Sequence, residues 1–346
     1  MPHNFLTPRP NPKLLSIVIP FYNEEEVLPQ LRPRLTAFLN SLPYPCEVIA
    51  VNDGSSDRTI DFLVDWCHSD SRLKVLNFSR NFGHQYASTA GIDHASGDAI
   101  VLVDADLQDP LDVIPLMVEQ YRNGYDVVCG QRMSRAGEDR FKKITAWLFY
   151  RFMRLFFMES LPQDVGDFRL ISRRCLDSLR SMRELHRFLR GMVAWVGYPQ
   201  TCVRYERQPR IAGSTKYPLR KMIRLAWTAA VSFSALPLRL SFIGAVVMTL
   251  VAIEEAVRAL VGYFSGQNVP GWTSLMVVLC LSNAALMAAV GVLGEYIGRI
   301  YEEGKGRPLY IVAETWNLSQ PPTAEASVGV RQEEGESSGR TRGDWS

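Results

Sequence analysis

The sequence predicts an α/β domain with a mainly parallel sheet, followed by two membrane-spanning helices. Three observations lead there. Short apolar runs alternate with helical patterns from Leu14 to Arg132, polar or acidic clusters follow three of those runs, and no Asp, Glu, Lys or Arg occurs between Ala259 and Gly294. Strand and helix in regular alternation place helices on both faces of a parallel sheet.

The elements follow in order. LLSIVIP reads as a first strand, with a helix from about Glu24; CEVIAVN as a second, with a helix from about Asp57; RLKVLNF as a third, with a helix near Ala87; DAIVLVD as a fourth, with a helix after Pro110. The connections are short, as such units require. In open sheets of this kind ligands gather outside the carboxyl ends of the strands. Clusters stand at three such ends: Pro20 to Glu24 (PFYNE), Asn52 to Asp57 (NDGSSD) and Asp104 to Gln108 (DADLQ). Asn, Asp, Gly and Ser are also ordinary turn formers and helix caps, so each cluster alone is ambiguous. Parallel strands bring all three to one edge.

Asp104 and Asp106 put two hard oxygen donors on one turn, which suits Mg²⁺ or Mn²⁺ with substrate phosphates completing the shell. Gln108 adds a neutral oxygen or orients a water. No Walker A or G-x-G-x-x-G pattern follows any strand, so phosphate charge has to be met by metal and side chains.

Further on, the apolar stretch about 272–296 is long enough at ~1.5 Å per residue to cross a ~30 Å hydrocarbon layer. A partner span is expected at about 240–264, interrupted by Glu254, Glu255 and Arg258, of which Glu254 and Arg258 can pair at i,i+4. A soluble buried hairpin is the alternative. Arg220, Lys221, Arg224 and Arg239 precede the pair and Arg299, Lys305 and Arg307 follow it, while the connector YFSGQNVPGW is uncharged, so both termini are expected on the cytosolic side of an inner membrane. Residues 1–13 form a Pro-rich arm without a secretory signal, 14–228 the catalytic domain, 229–300 the membrane domain, 301–318 a cytosolic segment and 319–346 a disordered tail. Phe141 to Met158 is densely aromatic, with Lys143, Arg151 and Arg154 within roughly 80 degrees on a helical wheel, the pattern of an interfacial helix. The segment from Tyr217 to Arg224 is expected to lie along the membrane in the same way.

Composition narrows the function classes. The 346 residues carry 38 Lys+Arg against 36 Asp+Glu, a balance unsuited to coating nucleic acid. The six cysteines are scattered without a C-x-x-C pair, which points to reduced thiols and no structural metal.

Taken in order, VIPFYNEEE, VNDGSSD, FSRNFG, DADLQDP, VGDFRLISR and RIAGSTKY, followed by two spans and GEYIGRIYEE, resemble the family 2 glycosyltransferases of the polyprenyl-phosphate type. The resemblance runs over roughly residues 14–312 and is nearest to the bacterial bactoprenol glucosyltransferases, with dolichyl-phosphate mannose synthases further off. It implies a GT-A fold, a divalent metal, and inverting transfer of a sugar from a nucleotide diphosphate donor to a lipid phosphate. UDP-glucose and undecaprenyl phosphate lead; mannose or another sugar is the alternative. By the same resemblance Pro20, Tyr22, Glu24 and Asp53 cradle the nucleoside and Asp104, Asp106 and Gln108 serve metal and donor. Arg132, Arg207, Arg210, Ser214 and Lys216 meet the diphosphate and acceptor phosphate, and Asp167 stands on the acceptor side.

A phosphate monoester has a second pKa of about 6 and is mostly dianionic at neutral pH, so the nucleophile needs no deprotonation. Asp167 is therefore expected to orient rather than to act as an obligatory base. The three charges at Glu254, Glu255 and Arg258 depart from the uniformly apolar first span of the family. A processive polysaccharide synthase lacks support because no Q-x-x-R-W motif occurs; a catalytically silent scaffold with the same fold is a further rival. Homo-oligomers are possible, although the spans carry no clear G-x-x-x-G face.

Overall fold

The computed structural model describes residues 6–133, 165–206, 236–265 and 271–318. The four expected strands form as β1 (Leu15–Phe21), β2 (Cys46–Asn52), β3 (Leu73–Phe78) and β4 (Ala99–Leu102). They read as continuous apolar runs because parallel strands are covered on both faces. Between and after them stand α1 (Leu28–Ser41), α2 (Thr59–Ser69), α3 (His84–His94) and α4 (Val113–Arg122). Helix α1 begins four residues beyond the expected Glu24: Glu24 to Val27 form a turn, and Pro29, whose missing N–H is harmless only in a first turn, sits at the helix start.

The chain continues through β5 (Val127–Arg132), β6 (Val165–Ser172), α5 (Arg173–Ser181), α6 (Leu189–Val196) and β7 (Gln200–Tyr205) to α7 (Leu236–Phe264), α8 (Trp272–Gly304) and β8 (Val312–Trp316). Among the described residues eight strands join one sheet in the order β7-β5-β6-β4-β1-β2-β3-β8. Contrary to the mainly parallel expectation, the sheet is mixed: β6 runs antiparallel between β4 and β5, and β8 antiparallel along β3. The cause lies in where each strand starts. Val165 pairs with Gln131 and Val312 with Phe78, so both strands are entered from the carboxyl end of a neighbour and run back. Segment 301–318 thus supplies an edge strand of the sheet.

Successive residues of β1 alternate between two cores. Ile17 and Ile19 pack with Leu31, Leu35, Leu63, Trp66 and Met117 from α1, α2 and α4; Val18 packs with Ala87, Ala90, Leu176 and Met192 from α3, α5 and α6. Each fully buried aliphatic side chain contributes about 1.5–3 kcal/mol.

Helices α7 and α8 pack against each other. In α7 Arg258 bonds Glu254 at 2.7 Å and Glu255 at 3.3 Å, so the three charges form one cluster on the helix. Among the described residues one helix, Val277–Gly304, is long and apolar enough to cross a membrane. The interfacial segments expected at 141–158 and 217–224, and Arg207, Arg210, Ser214 and Lys216, lie outside the described residues.

Candidate active site

The carboxyl ends of the central strands coincide. Phe21 pairs with Asn52, Asp53 N donates to Phe21 O at 2.9 Å, and Val103 N donates to Val18 O at 3.1 Å. Pro20 is buried in central β1, yet β4 pairing stops at Val18, so its missing donor falls beyond the ladder. Strand β6 begins at this same edge, with Arg169 opposite Leu102, which brings Asp167 beside the turn carrying Asp104. A reversed strand thereby delivers an acid from far along the chain.

The first two loops interlock. Asn23, in the left-handed region at φ 55, accepts from Ser56 N at 2.8 Å and donates its own N–H to Ser55 Oγ at 3.0 Å. Glu24 N reaches Thr59 Oγ1 at 2.8 Å, and Arg58 N reaches Glu25 Oε2 at 3.0 Å. Above this base Tyr22 is 48% exposed, available to a ligand, and Glu24 is half-buried. Asp53, expected at the nucleoside, also bonds the protein's own backbone. It is buried, and its carboxylate accepts from Phe82 N at 2.7 Å and Gly83 N at 2.9 Å, clamping the turn that starts α3.

That turn carries His84, which sequence reasoning missed. Its Nε2 stands 3.5 Å from Asp167 Oδ2 and 3.7 Å from Asp104 Oδ1, joining the two acids. From α6 Arg190, also missed, donates Nε to Asp167 Oδ1 at 2.7 Å and a terminal nitrogen to Oδ2 at 3.0 Å. The electrostatics split the acids. Burial alone would raise Asp167, but the charge of Arg190 and hydrogen bonds from His84 and Arg190 outweigh it and hold the carboxyl well below the usual range. Asp104 is pushed up to about 6, first by burial and then by Asp167, Asp109 and Asp106, against partial relief from His84. Burial would lower His84, yet Asp167 and Asp104 together raise it despite its place at a helix N-terminus, where a cation is unfavourable.

On the other side of Asp104, Arg132 ends β5 and Tyr205 ends β7, in register. Arg132 Nε donates to Tyr205 Oη at 3.2 Å, and Tyr205 donates to the buried Asp109. Burial and Asp109 both push Tyr205 up, so it remains a phenol. Gly166 lies against Arg132: a Cβ there would come within 2.7 Å of a terminal guanidinium nitrogen. Tyr205 carried no motif of its own; its register with Arg132 reveals it, and its bond to Asp109, within DADLQDP, brings that acid into the site.

The DADLQ turn is tight, with Leu107 left-handed at φ 56 and Gln108 N donating to Asp106 Oδ1 at 3.1 Å. Asp104 and Asp106 are half-buried, and Gln108 is buried. Among the described residues no group of three or more His, Cys, Asp or Glu side chains is arranged to hold a metal ion. The donor set nevertheless fits Mg²⁺ or Mn²⁺, which bind through one or two carboxylates and substrate phosphates, because two half-buried carboxylates and an amide oxygen share one tight turn.

Comparison with known proteins gives a family and relatives. The model of "Glycosyl transferase family 2" matches residues 16–180. An uncharacterized glycosyltransferase of Bacillus subtilis (strain 168) is 44% identical over 304 residues, 88% of this chain and 94% of that protein. A bactoprenol glucosyl transferase of Shigella phage SfV is 38% identical over 299 residues, 86% of this chain and 97% of that protein. Among solved structures, glucosyl-3-phosphoglycerate synthase from Mycobacterium tuberculosis in complex with Mn²⁺, uridine-diphosphate and phosphoglyceric acid matches with a TM-score of 0.47 at 17% identity, over 63% of this chain and 76% of that one.

Proposed function

Since the chain belongs to glycosyl transferase family 2 and is a glycosyltransferase, we propose that it transfers a hexose, glucose from UDP-glucose, to a polyprenyl phosphate at a membrane surface. The observation that carries this reading is the pairing of Asp104 with Asp167 through His84 at the carboxyl edge of the sheet, a donor-side and an acceptor-side acid brought to one histidine. The likeness to the bactoprenol glucosyl transferase of Shigella phage SfV supports the sugar and the lipid.

In this reading Tyr22 and Glu24 line the nucleoside, and Asp53 acts through the turn that holds His84. Asp104 and Asp106, with Gln108, hold Mg²⁺ or Mn²⁺, which when bound supplies a counter-charge for the donor diphosphate. Arg132 stands beside Asp104, where a guanidinium meets a phosphate in fork geometry. An acceptor phosphate oxygen attacks C1 from the face opposite the leaving group; the C1–O bond to the diphosphate breaks, its electron pair departs with the nucleoside diphosphate, and the configuration inverts. Asp167, kept ionised by Arg190 and His84, removes no proton and orients the cations that meet the acceptor. Arg207, Arg210, Ser214 and Lys216 complete the phosphate contacts.

Helices α7 and α8 form the membrane hairpin, with both chain termini cytosolic and the Glu254–Arg258 cluster at the far interface. The exposed apolar side chains of α7 and α8, among them Phe242, Leu250, Val261, Leu279 and Leu286, support a lipid-facing surface. Incubating detergent-purified protein with Mg²⁺ or Mn²⁺, undecaprenyl phosphate and a panel of UDP- and GDP-sugars, with mass spectrometry of the lipids, tests the reading. A glucosyl phospholipid from UDP-glucose, absent with Asp106→Ala, supports it. A mannosyl product corrects the sugar, and the absence of any nucleotide binding favours a silent scaffold.

A further inference from the structure

At ~1.5 Å per residue the 33 residues of α8 extend ~50 Å, against ~30 Å of hydrocarbon. If the helix enters the layer near Trp272 it leaves near Glu295, its first charged residue, and the remaining turns stand clear of the lipid. Those turns end on Glu302 and Glu303. Two carboxylates at the negative end of a helix dipole are unfavourable, so a compensating contact is needed.

Tertiary contacts offer one. Glu303 Oε1 accepts from Leu185 N at 2.6 Å, and Glu302 Oε2 stands 2.8 Å from His186 Nε2. Both partners belong to the loop between α5 and α6. The same loop is gripped by the element that carries His84: Tyr86 Oη donates to Leu185 O at 2.6 Å, and Leu189 N donates to Gln85 Oε1 at 3.0 Å. Arg183 bonds Asp93 at 2.8 Å, an acid that also accepts from Tyr310 at 2.9 Å, on the return from α8 to β8. The loop then delivers Arg190 to Asp167.

We propose that Glu303, at the cytosolic end of the membrane helix, is a positioning residue for the acceptor side of the site. By fixing Leu185 it holds the loop that sets Arg190 against Asp167, and it ties that pair to the height of the membrane surface. The kinetic part rests on the glycosyl transfer proposed above; the structural part does not.

The test uses the full chain in lipid nanodiscs, with Glu303→Ala, which removes the acceptor of the Leu185 N–H, and Glu303→Gln, which keeps an acceptor oxygen. Hydrogen exchange is read at residues 185–190, and kcat and KM with UDP-glucose and undecaprenyl phosphate. The expectation for Glu303→Ala is a roughly tenfold faster exchange confined to 185–190 and a roughly tenfold lower kcat with the donor KM unchanged, both restored by Glu303→Gln. Unchanged exchange, exchange raised throughout the domain, or unchanged kcat overturns the proposal. If wild type glycosylates no lipid, the function proposed above fails, and the exchange result alone decides whether Glu303 holds the loop.

Discussion

Arg190 holds Asp167 by a two-pronged bond, Nε to one carboxylate oxygen at 2.7 Å and a terminal nitrogen to the other at 3.0 Å. Lysine, a point charge on a flexible stem, cannot supply two parallel donors. Arg190→Ala should lower kcat by about a hundredfold, the scale of losing a charge-assisted pair worth about 1.5–3 kcal/mol, and Arg190→Lys by about tenfold. Donor affinity by calorimetry should be unchanged in both. A loss of donor affinity equal to the loss of kcat would move Arg190 to the donor side.

Because Arg190 and His84 keep Asp167 ionised throughout the neutral range, its protonation cannot shape the rate there. Asp167→Asn should retain appreciable activity with a flat pH–rate profile above pH 7, since the acceptor phosphate, with a second pKa of about 6, is already dianionic. Complete inactivity with a new pH dependence would make Asp167 the base.

The metal reading gives a direct outcome. Chelation by EDTA should abolish transfer and Mn²⁺ or Mg²⁺ should restore it. Mn²⁺ binding in the presence of UDP, followed by electron paramagnetic resonance, should weaken by about ten- to a hundredfold in Asp106→Ala. Equal Mn²⁺ binding by wild type and variant would remove Asp106 from the metal site.

The β2–α2 turn depends on Gly54, which sits at φ 62 with its missing Cβ position 2.3 Å from Arg80 C and 2.5 Å from Asn81 N. The obstacle is backbone, which cannot rotate away. Gly54→Ala should cost about 3 kcal/mol or more, from left-handed strain and the forced separation of the two turns. A thermal melt of the purified protein checks the stability, and hydrogen exchange at Phe82 and Gly83 checks whether Asp53 has lost them. A melt within a degree of wild type would show that the turns separate freely.

What was legible in the sequence follows from these same residues. The first four strands were readable because strands covered on both faces become unbroken apolar runs. Asp104 and Asp106 stood out because two hard oxygen donors at that spacing on one turn are chemically specific. His84 and Arg190 were not, because each is a lone basic residue on a helix and acquires meaning only when β6 runs antiparallel and sets Asp167 beside β4. Asp53 stood out by motif, but the direction of its carboxylate depends on amides of Phe82 and Gly83, far along the chain. Strand β8 was hidden because its partner β3 lies more than two hundred positions earlier, with Trp316 opposite Val75.

At the amino-terminal edge of the sheet, away from the site, Asp126 makes the stability argument separable from catalysis. Its side chain is fully buried and accepts from Ser172 Oγ at 2.6 Å, from Arg9 at 2.8 Å and from Arg174. Burial alone would raise its pKa, but the bonds from Arg174, Ser172 and Arg9 outweigh that and hold it below the usual carboxylate range. A folded value below the unfolded one, about 3.9, means a contribution fully present above about pH 5 and lost as pH falls through the folded value. Asp126→Ala removes the acceptor shared by Ser172 and two partly exposed guanidiniums and should cost about 1–3 kcal/mol at neutral pH. In Asp126→Asn the melting temperature should start lower at pH 7 and fall less between pH 5 and pH 3 than in wild type, with kcat per folded molecule unchanged. Parallel melting curves for the two proteins across that range would show that Asp126 carries no stabilising charge.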